Sequence, residues 1–194
     1  MELPAVFAFH NRGDELDLIT APVHRARLLI FWGEAGIGKT RLLARAGELL
    51  RARDNALVVT VDLAQLRHQP AAARPSGLAA LLWEQVAPDQ GVPGISRVVD
   101  QLLEAARDRR VTLMLDSTEA IHQDTAFWRW LDESLVSPLV SDGTVQLIMA
   151  GRVPPPLRLV EVRRHMIVRA LLPLAAGGEA EALAAEVVAR ELAA

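Results

Sequence analysis

The chain has 194 residues, of which 51% are hydrophobic and 23% charged, with a formal net charge of −3 at pH 7. A chain of this length and apolar content buries a sizeable core and folds as one domain or slightly more. The small negative charge excludes a strong whole-chain attraction to nucleic acid or anionic membranes. Because the sequence has no cysteine, disulfides and thiolate metal sites are excluded, and its histidines lack the i, i+4 spacing of a zinc site.

The first residues, MELPAVFAFHNRGDEL, lack the basic region and long apolar run of a secretory signal. No run in the sequence approaches the roughly 20 apolar residues that span a bilayer. We therefore expect a soluble, cytoplasmic protein with no membrane partner.

Apolar runs of strand length recur along the chain, at residues 28–32, 57–61, 111–115, 145–150 and 166–169. Segments with helical spacing of apolar residues lie between them, most clearly at residues 42–50 and 98–106. Continuous apolar strands that alternate with helices predict an α/β fold with a mostly parallel sheet covered on both faces. Two proline-bearing stretches, residues 67–77 and 151–158, predict surface loops near a functional edge.

Residues 33–40, GEAGIGKT, match the phosphate-binding pattern G-x-x-x-x-G-K-[ST] at every fixed position. Glycines let the backbone turn several N–H groups toward one concavity, where they bind phosphate oxygens together with the positive end of the following helix. Lys39 then reaches the β- and γ-phosphates, and the Thr40 hydroxyl ligates magnesium. A plain glycine turn is the alternative, but the strand before the motif and the amphipathic helix after it favour nucleotide binding. The predicted cofactor-binding residues here are Gly33, Glu34, Ala35, Gly36, Ile37, Gly38, Lys39, Thr40 and Arg41.

An acidic residue closes the third apolar run and is the candidate second magnesium ligand. Asp116 ends the segment VTLMLD, where P-loop folds place this acid; a strand-terminating or N-capping aspartate is the alternative. Many rapid P-loop ATPases carry a water-activating glutamate directly after this aspartate, whereas here Ser117 follows and the next acid is Glu119. Glu119 is either the catalytic base or a solvated acid in the first turn of a helix. This spacing favours slow or conditional hydrolysis.

The fourth apolar run ends at Arg152, at the strand edge where ligands bind in open α/β sheets. A guanidinium at this edge would sense the γ-phosphate and couple its loss to the VPPP loop that follows. A surface loop arginine is the alternative. Lys39, Glu119 and Arg152 are thus the candidate catalytic residues, while Asp62, which ends the second run, is interpreted as mainly structural.

These motifs together resemble the STAND class of P-loop NTPases, the signal-transduction ATPases with NACHT and NB-ARC modules, within the AAA+-like group. GEAGIGKT is similar to their Walker A motif and LMLDSTEAI to their Walker B motif, with Asp116 as the magnesium ligand. Ser117 followed by Glu119 is closer to the NACHT pattern than to the paired aspartates of NB-ARC, although Ala120 stands where NACHT has a second acid. Arg152 matches the sensor-1 arginine of the class.

The resemblance extends to both ends of the chain. FHNRGDELDLI looks like the segment that lies against adenine in this class, which implies that Phe9 and Arg12 flank the base; a plain N-terminal helix is the alternative. VRALLPLAAGGEAEAL looks like the fifth strand and the first helix of the lid. The implied organisation is a nucleotide-binding domain over residues 1–172 and, over residues 173–194, the first helix of a truncated lid or an interface helix.

The resemblance implies a three-layer α/β P-loop NTPase with a five-stranded sheet in the order 5-1-4-3-2. It further implies ATP or ADP with Mg²⁺ as cofactors, and a nucleotide-dependent switch in a signalling or defence protein. The implied partners are further domains or a protein partner, and a nucleotide-dependent homo-oligomer.

Two alternatives come from other classes. One is an AAA+ motor or loader acting on nucleic acid, which needs a basic surface or aromatic residues for stacking. Because the chain has no tyrosine and its tryptophans lie in apolar contexts typical of a core, nucleic acid is not the expected partner. The other alternative is a non-catalytic nucleotide-binding interaction module.

Overall fold

The computed structural model describes residues 12–22, 27–87, 91, 94–158 and 160–172. Phe9 and residues 173–194, for which the sequence predicts an adenine contact and a lid helix, lie outside this part. The described strands are β1 (Leu28–Trp32), β2 (Leu57–Asp62), β3 (Val111–Asp116), β4 (Val145–Gly151) and β5 (Met166–Ala170). The α-helices are α1 (Gly13–Thr20), α2 (Lys39–Asp54), α3 (Arg74–Val86), α4 (Ile95–Asp108), α5 (Thr125–Leu131), α6 (Ser137–Asp142) and α7 (Val160–Arg164).

The strands form one parallel sheet in the order β2-β3-β4-β1-β5. This confirms the α/β fold class and the strand order expected from the sequence, and each strand begins where its apolar run begins. Trp32 pairs in register with Gly151, and Asp62 with Asp116. The carboxyl ends of β1 to β4 therefore meet at one edge of the sheet, which brings the predicted site residues together.

Helices cover both faces of the sheet. Side chains from α3 to α7 pack on one face with alternate strand residues such as Leu28 and Ile30. Leu29 and Phe31 point to the other face, where they pack against α1 and α2. Every residue of β3 and β4 is buried, as the continuous apolar runs predict. The sequence predicts that all four tryptophans lie in the core. Trp83 and Trp128 are buried, whereas Trp32 and Trp130 are half-buried.

One predicted loop is partly helical. Residues 67–77 were expected to be irregular because of their prolines, but a 3₁₀ turn spans Ala71–Ala73 and α3 begins at Arg74. Pro75 lies in the first turn of α3, where its missing N–H has no intrahelical partner to lose and its fixed φ suits the helix. The prediction of a loop after β4 is confirmed, since residues 152–158 contain no helix or strand.

Arg110 fastens α1 to the sheet. Its guanidinium donates to the carbonyls of Ile19 (2.7 Å), Thr20 (2.9 Å) and Ala21 (2.8 Å), and to Oε1 of Gln146 (3.0 Å). One cation thus satisfies the carbonyl groups that the end of α1 leaves without helical partners. Among the described helices, none has both the length and the apolar character needed to cross a membrane.

Candidate functional site

The glycine-rich loop lies between the end of β1 and the start of α2. Gly36 (φ 80°) and Gly38 (φ 96°) adopt the left-handed region that favours glycine, and a Cβ on either would meet no atom within 4 Å. Within the described chain, the backbone N–H groups of residues 34–40 donate no hydrogen bond to a protein acceptor. Free N–H groups at the start of a 16-residue helix, facing open space, fit the phosphates of a nucleotide.

Lys39 is held at the mouth of this loop. Its Nζ donates to the carbonyls of Gly33 (2.8 Å) and Glu34 (2.7 Å). Burial lowers the pKa of the Lys39 ammonium, the carboxylates of Glu119 and Asp116 oppose that shift, and the Arg152 cation adds to it. The predicted lysine, both predicted acids and the predicted arginine therefore share one electrostatic environment.

Thr40 and Asp116 supply two oxygen atoms side by side. The Thr40 hydroxyl donates to Asp116 Oδ2 (2.6 Å), while Asp116 Oδ1 accepts from the Ser117 backbone N–H (2.8 Å). A hydroxyl and a carboxylate are ligands that Mg²⁺ prefers. No group of three or more His, Asp or Glu in the described part could hold a metal by itself, so a cation here needs phosphate oxygens to complete its coordination. The donor set fits a magnesium–nucleotide complex.

Glu119 and Arg152 are bonded to each other. Ser117 adopts a left-handed conformation (φ 56°, ψ 42°), and the 3₁₀ turn Thr118–Ile121 that follows directs Glu119 toward the end of β4. Glu119 Oε2 accepts from the Arg152 backbone N–H (3.0 Å), and Oε1 lies 3.3 Å from Arg152 Nε. The Arg152 side chain is 62% exposed, so its guanidinium remains accessible to a ligand.

Two residues that the sequence did not single out shape this contact. Thr118 is 1% exposed, and a Cβ on Gly151 would collide with its Oγ1 and lie 3.1 Å from Glu119 Oε2. Only glycine at the end of β4 therefore lets the Glu119 turn approach this closely. No sequence signal beyond the glycine before Arg152 points to this packing.

The remaining candidate residues occupy the rim of the site. Arg12 Nη2 donates to the carbonyls of Ile37 (3.2 Å) and Leu172 (2.8 Å), which places Arg12 beside the glycine-rich loop. Arg41 is exposed in the first turn of α2. Asp62 Oδ1 accepts from the Ala64 N–H (2.9 Å) and so caps a 3₁₀ turn, in keeping with a structural role.

Solved structures share this fold. Drosophila ORC bound to DNA is 17% identical with a TM-score of 0.61, and the match covers 84% of this chain and 43% of that chain. The Walker-type ATPase of Pyrococcus abyssi is 14% identical with a TM-score of 0.57, covering 74% of this chain and 45% of that one. Domain III of the Thermotoga maritima replication initiation protein DnaA is 15% identical with a TM-score of 0.56, and the match covers 89% of this chain and 70% of that chain. The chain thus spans less than half the length of the first two.

A search of curated protein sequences finds no match. A family profile described as an AAA domain matches residues 23–154. That range contains the glycine-rich loop, Asp116, Glu119 and Arg152, and the sheet has the order expected for an AAA+-type nucleotide-binding domain. The chain belongs to the AAA domain family of P-loop NTPases.

Proposed function

We propose that this chain binds ATP or ADP with Mg²⁺ and acts as a nucleotide-dependent switch of the STAND type, in a signalling or defence protein that hydrolyses ATP slowly or conditionally. The observation that carries this proposal is the bond between Glu119 and Arg152, at 3.0 Å to the backbone and 3.3 Å to the side chain. The two groups expected to act on water and on the γ-phosphate are engaged with each other. A site in this arrangement holds nucleotide without being set for rapid turnover.

The binding roles follow from the geometry of the loop. The N–H groups of residues 34–40 and the Lys39 ammonium bind phosphate oxygens, while Thr40 and Asp116 hold the cation. When bound, Mg²⁺ neutralises charge on the β- and γ-phosphates. Arg12, which already contacts the loop carbonyl of Ile37, is proposed to lie near the base together with Phe9.

The switching step is an exchange of partners at Arg152. A γ-phosphate is a stronger partner for an exposed guanidinium than one carboxylate, because it offers several charged oxygens in bidentate geometry. An ion pair this exposed contributes only about 0–1 kcal/mol to stability, so breaking it costs little free energy. Once the Arg152 side chain turns to phosphate, Glu119 Oε1 is released to orient a water, while Oε2 keeps its bond to the Arg152 backbone N–H. Loss of the γ-phosphate restores the Glu119–Arg152 pair.

Hydrolysis is proposed to need more than these residues. The described rim leaves Thr40 and Arg152 open to solvent, whereas phosphoryl transfer is favoured by excluding water and stabilising the developing charge. We propose that a lid beginning in residues 173–194, a protein partner or a neighbouring copy of the chain supplies this closure, and that residues 1–172 form the nucleotide-binding domain.

An AAA+ ATPase that acts on nucleic acid is the second candidate. Two similar structures favour it, since one is ORC bound to DNA and another is a replication initiation protein. Against it, the two fully buried tryptophans, Trp83 and Trp128, are not available to stack on bases. A salt-dependent affinity of the purified chain for single-stranded DNA would favour this candidate over the switch.

The proposal is tested by the nucleotide that the purified chain retains and by phosphate release. We expect ADP or ATP to be recovered after denaturation, and hydrolysis to be slow. Lys39→Ala should abolish nucleotide binding in calorimetry, because the phosphates lose their only lysine contact. Unchanged affinity in Lys39→Ala would overturn the nucleotide site, and rapid turnover of the isolated chain would overturn the switch. Tight retention with no phosphate release under any condition would favour the non-catalytic module.

A further inference from the structure

A large open cleft lies beside the nucleotide site, at the carboxyl ends of β2, β3 and β4. It has a volume of about 920 Å³ and is lined by side chains from the segments 64–74, 117–124 and 152–153. No residue of the glycine-rich loop lines it. Ligands of open α/β sheets bind at this edge, and the volume falls within the range of small-molecule sites.

The cleft carries more positive than negative charge. Arg67, Arg74 and Arg152 line it, against the carboxylates of Glu119 and Asp124. Both acids are already paired, Glu119 with Arg152 and Asp124 Oδ2 with Arg74 Nη1 (2.5 Å). Within the described residues the exposed Arg67 guanidinium has no hydrogen bond or ion pair, so one cation in the cleft is left uncompensated.

Arg74 fixes the segment that presents Arg67. Besides its bond to Asp124, it donates from Nε to the Leu66 carbonyl (3.3 Å) and from Nη2 to the Arg67 carbonyl (3.4 Å). Asp124 is in turn held by the Phe127 backbone N–H (3.0 Å), which it caps. The backbone that carries Arg67 is therefore anchored to α5, which keeps Arg67 at the cleft.

Uncharged polar groups complete the lining. Ser117 and Gln123 offer a hydroxyl and an amide, and His122 has a buried Nδ1 with no hydrogen-bond partner in the described structure. The Ser117 hydroxyl and the Gln123 amide can donate to and accept from hydroxyl groups of a ligand. The lining contains no phenylalanine, tyrosine or tryptophan, so it offers no ring on which the bases of a single strand would stack.

We propose that this cleft is a second binding site, for a small phosphorylated and hydroxylated molecule whose phosphate pairs with Arg67. Arginine suits phosphate because its planar fork donates two parallel hydrogen bonds. A single strand of nucleic acid fits less well, because the lining offers one unpaired cation and no aromatic ring on which bases would stack. The ligand's hydroxyl groups contact Gln123 and Ser117.

The site also reaches the nucleotide switch. Arg152 and Glu119 line the cleft, so a ligand here contacts the pair that the proposed function places at the γ-phosphate. Control of hydrolysis by the ligand rests on that proposed function, whereas binding to the cleft does not. The two are therefore tested separately.

Binding is tested by calorimetry on the full chain with three probes: inorganic phosphate, ribose 5-phosphate and a deoxythymidine decamer. Ribose 5-phosphate should bind more tightly than phosphate, and Arg67→Ala should weaken it about tenfold or more. Arg107→Ala is the matched control, since Arg107 is 76% exposed on α4 and does not line this cleft, and it should leave the affinity unchanged. Lys39 does not line the cleft, so the affinity for ribose 5-phosphate should persist in Lys39→Ala.

Four results would overturn the proposal. If Lys39→Ala removes ribose 5-phosphate binding, the probe occupies the glycine-rich loop and not the cleft. If the parent and Arg67→Ala bind ribose 5-phosphate equally well, Arg67 does not contact the phosphate. If phosphate and ribose 5-phosphate bind equally well, the cleft does not contact the hydroxyl groups. Tighter, Arg67-dependent binding of the decamer would make the cleft a nucleic-acid surface. Failure of ATP binding with intact probe binding would overturn the proposed function but not this site.

Discussion

Thr40 and Asp116 are 76 residues apart in the chain, yet the hydroxyl of one donates to the carboxylate of the other over 2.6 Å. Thr40 lies in the first turn of α2, which follows β1, and Asp116 ends β3. These two strands are not neighbours, because β4 lies between them. The contact therefore depends on the strand order and not on local sequence. The two oxygen atoms are of the kind that Mg²⁺ prefers, so this pair would suit the proposed magnesium site.

Asp116→Asn should separate magnesium-dependent from magnesium-independent binding. Asparagine keeps an oxygen to accept from Thr40 but loses the charge, so affinity for ATP with Mg²⁺ should fall about tenfold or more. Affinity for ADP in a chelator should hardly change. Asp62→Asn is the control, because Asp62 pairs with Asp116 in register but only caps a turn. Equal losses with and without magnesium would show that Asp116 is structural.

Lys39 is the only lysine of the chain, since the other 20 of its 21 Lys and Arg residues are arginines. Its side-chain amine can therefore be modified selectively. Burial lowers its pKa from 10.5, so its neutral form is more abundant near pH 8 than in an ordinary lysine. We expect acylation of Lys39 to reach half its maximum rate below pH 10.5, and ATP with Mg²⁺ to protect it. Peptide mapping separates Lys39 from the terminal amine. A midpoint at or above that of a model lysine would contradict the burial.

The same shift predicts a stability change with pH. Because the folded state lowers the pKa of Lys39, it binds fewer protons there than the unfolded state does. Below the lowered pKa, the partly buried ammonium therefore reduces the free energy of unfolding. This destabilisation is relieved as the pH rises toward 10.5. Urea unfolding across that window should show a smaller rise in stability for Lys39→Met than for the parent. A steeper rise in Lys39→Met would contradict the sign.

Glu119→Gln and Arg152→Ala should affect hydrolysis in different ways. The glutamine side chain would keep an acceptor for the Arg152 backbone N–H but could not take a proton, so phosphate release should slow more than binding weakens. Arg152→Ala should weaken the binding of ATP more than the binding of ADP, because only ATP offers the γ-phosphate. Single-turnover rates and separate titrations of both nucleotides measure these effects. If Glu119→Gln hydrolyses at the parent rate, Glu119 is a solvated acid.

Gly151→Ala should destabilise the chain by about 2 kcal/mol or more, because the new methyl group overlaps Thr118. Adding Thr118→Ala should recover part of the loss, since it removes the colliding hydroxyl, which has no hydrogen-bond partner in the described structure. Gly13→Ala is the control, as its Cβ would meet nothing within 4 Å. Strictly additive effects in urea unfolding would show that the two residues do not touch.

Arg110→Ala should cost about 3 kcal/mol of the free energy of unfolding, because three carbonyls at the end of α1 lose a charged donor. Arg107→Ala should stay within about 0.5 kcal/mol, as expected for an exposed residue. Arg110→Lys should be more stable than Arg110→Ala but less stable than the parent, because an ammonium cannot reproduce the planar fork of the guanidinium. Denaturant midpoints compare the three variants, and equal midpoints for Arg110→Ala and Arg107→Ala would contradict the anchoring role.

The strands and the glycine-rich loop were predictable because they depend on local patterns. Apolar runs mark β1 to β5 to within a residue or so at each end, and fixed spacing marks the loop. The prediction around Pro75 failed because proline breaks a helix interior but suits its first turn, and the sequence does not say which position it occupies.

Contacts between distant segments were not predictable. Glu119 and Arg152 were each proposed as catalytic residues, but their bond depends on the left-handed backbone of Ser117 and on a glycine at position 151. The Arg67 cleft depends on the Arg74–Asp124 pair, which joins segments 50 residues apart. Such geometry follows from tertiary packing, for which hydrophobic periodicity carries no signal.

The end of β5 forms one wall of the glycine-rich loop. A Cβ on Gly33 would lie 2.7 Å from the Leu171 carbonyl, and Arg12 bridges the carbonyls of Ile37 and Leu172. The path by which the chain leaves the sheet is thus in direct mechanical contact with the phosphate site. A displacement of the backbone at Leu171 and Leu172 would be transmitted to the loop through the Arg12 guanidinium and through the close contact with Gly33, and a phosphate that reshapes the loop would displace the same backbone.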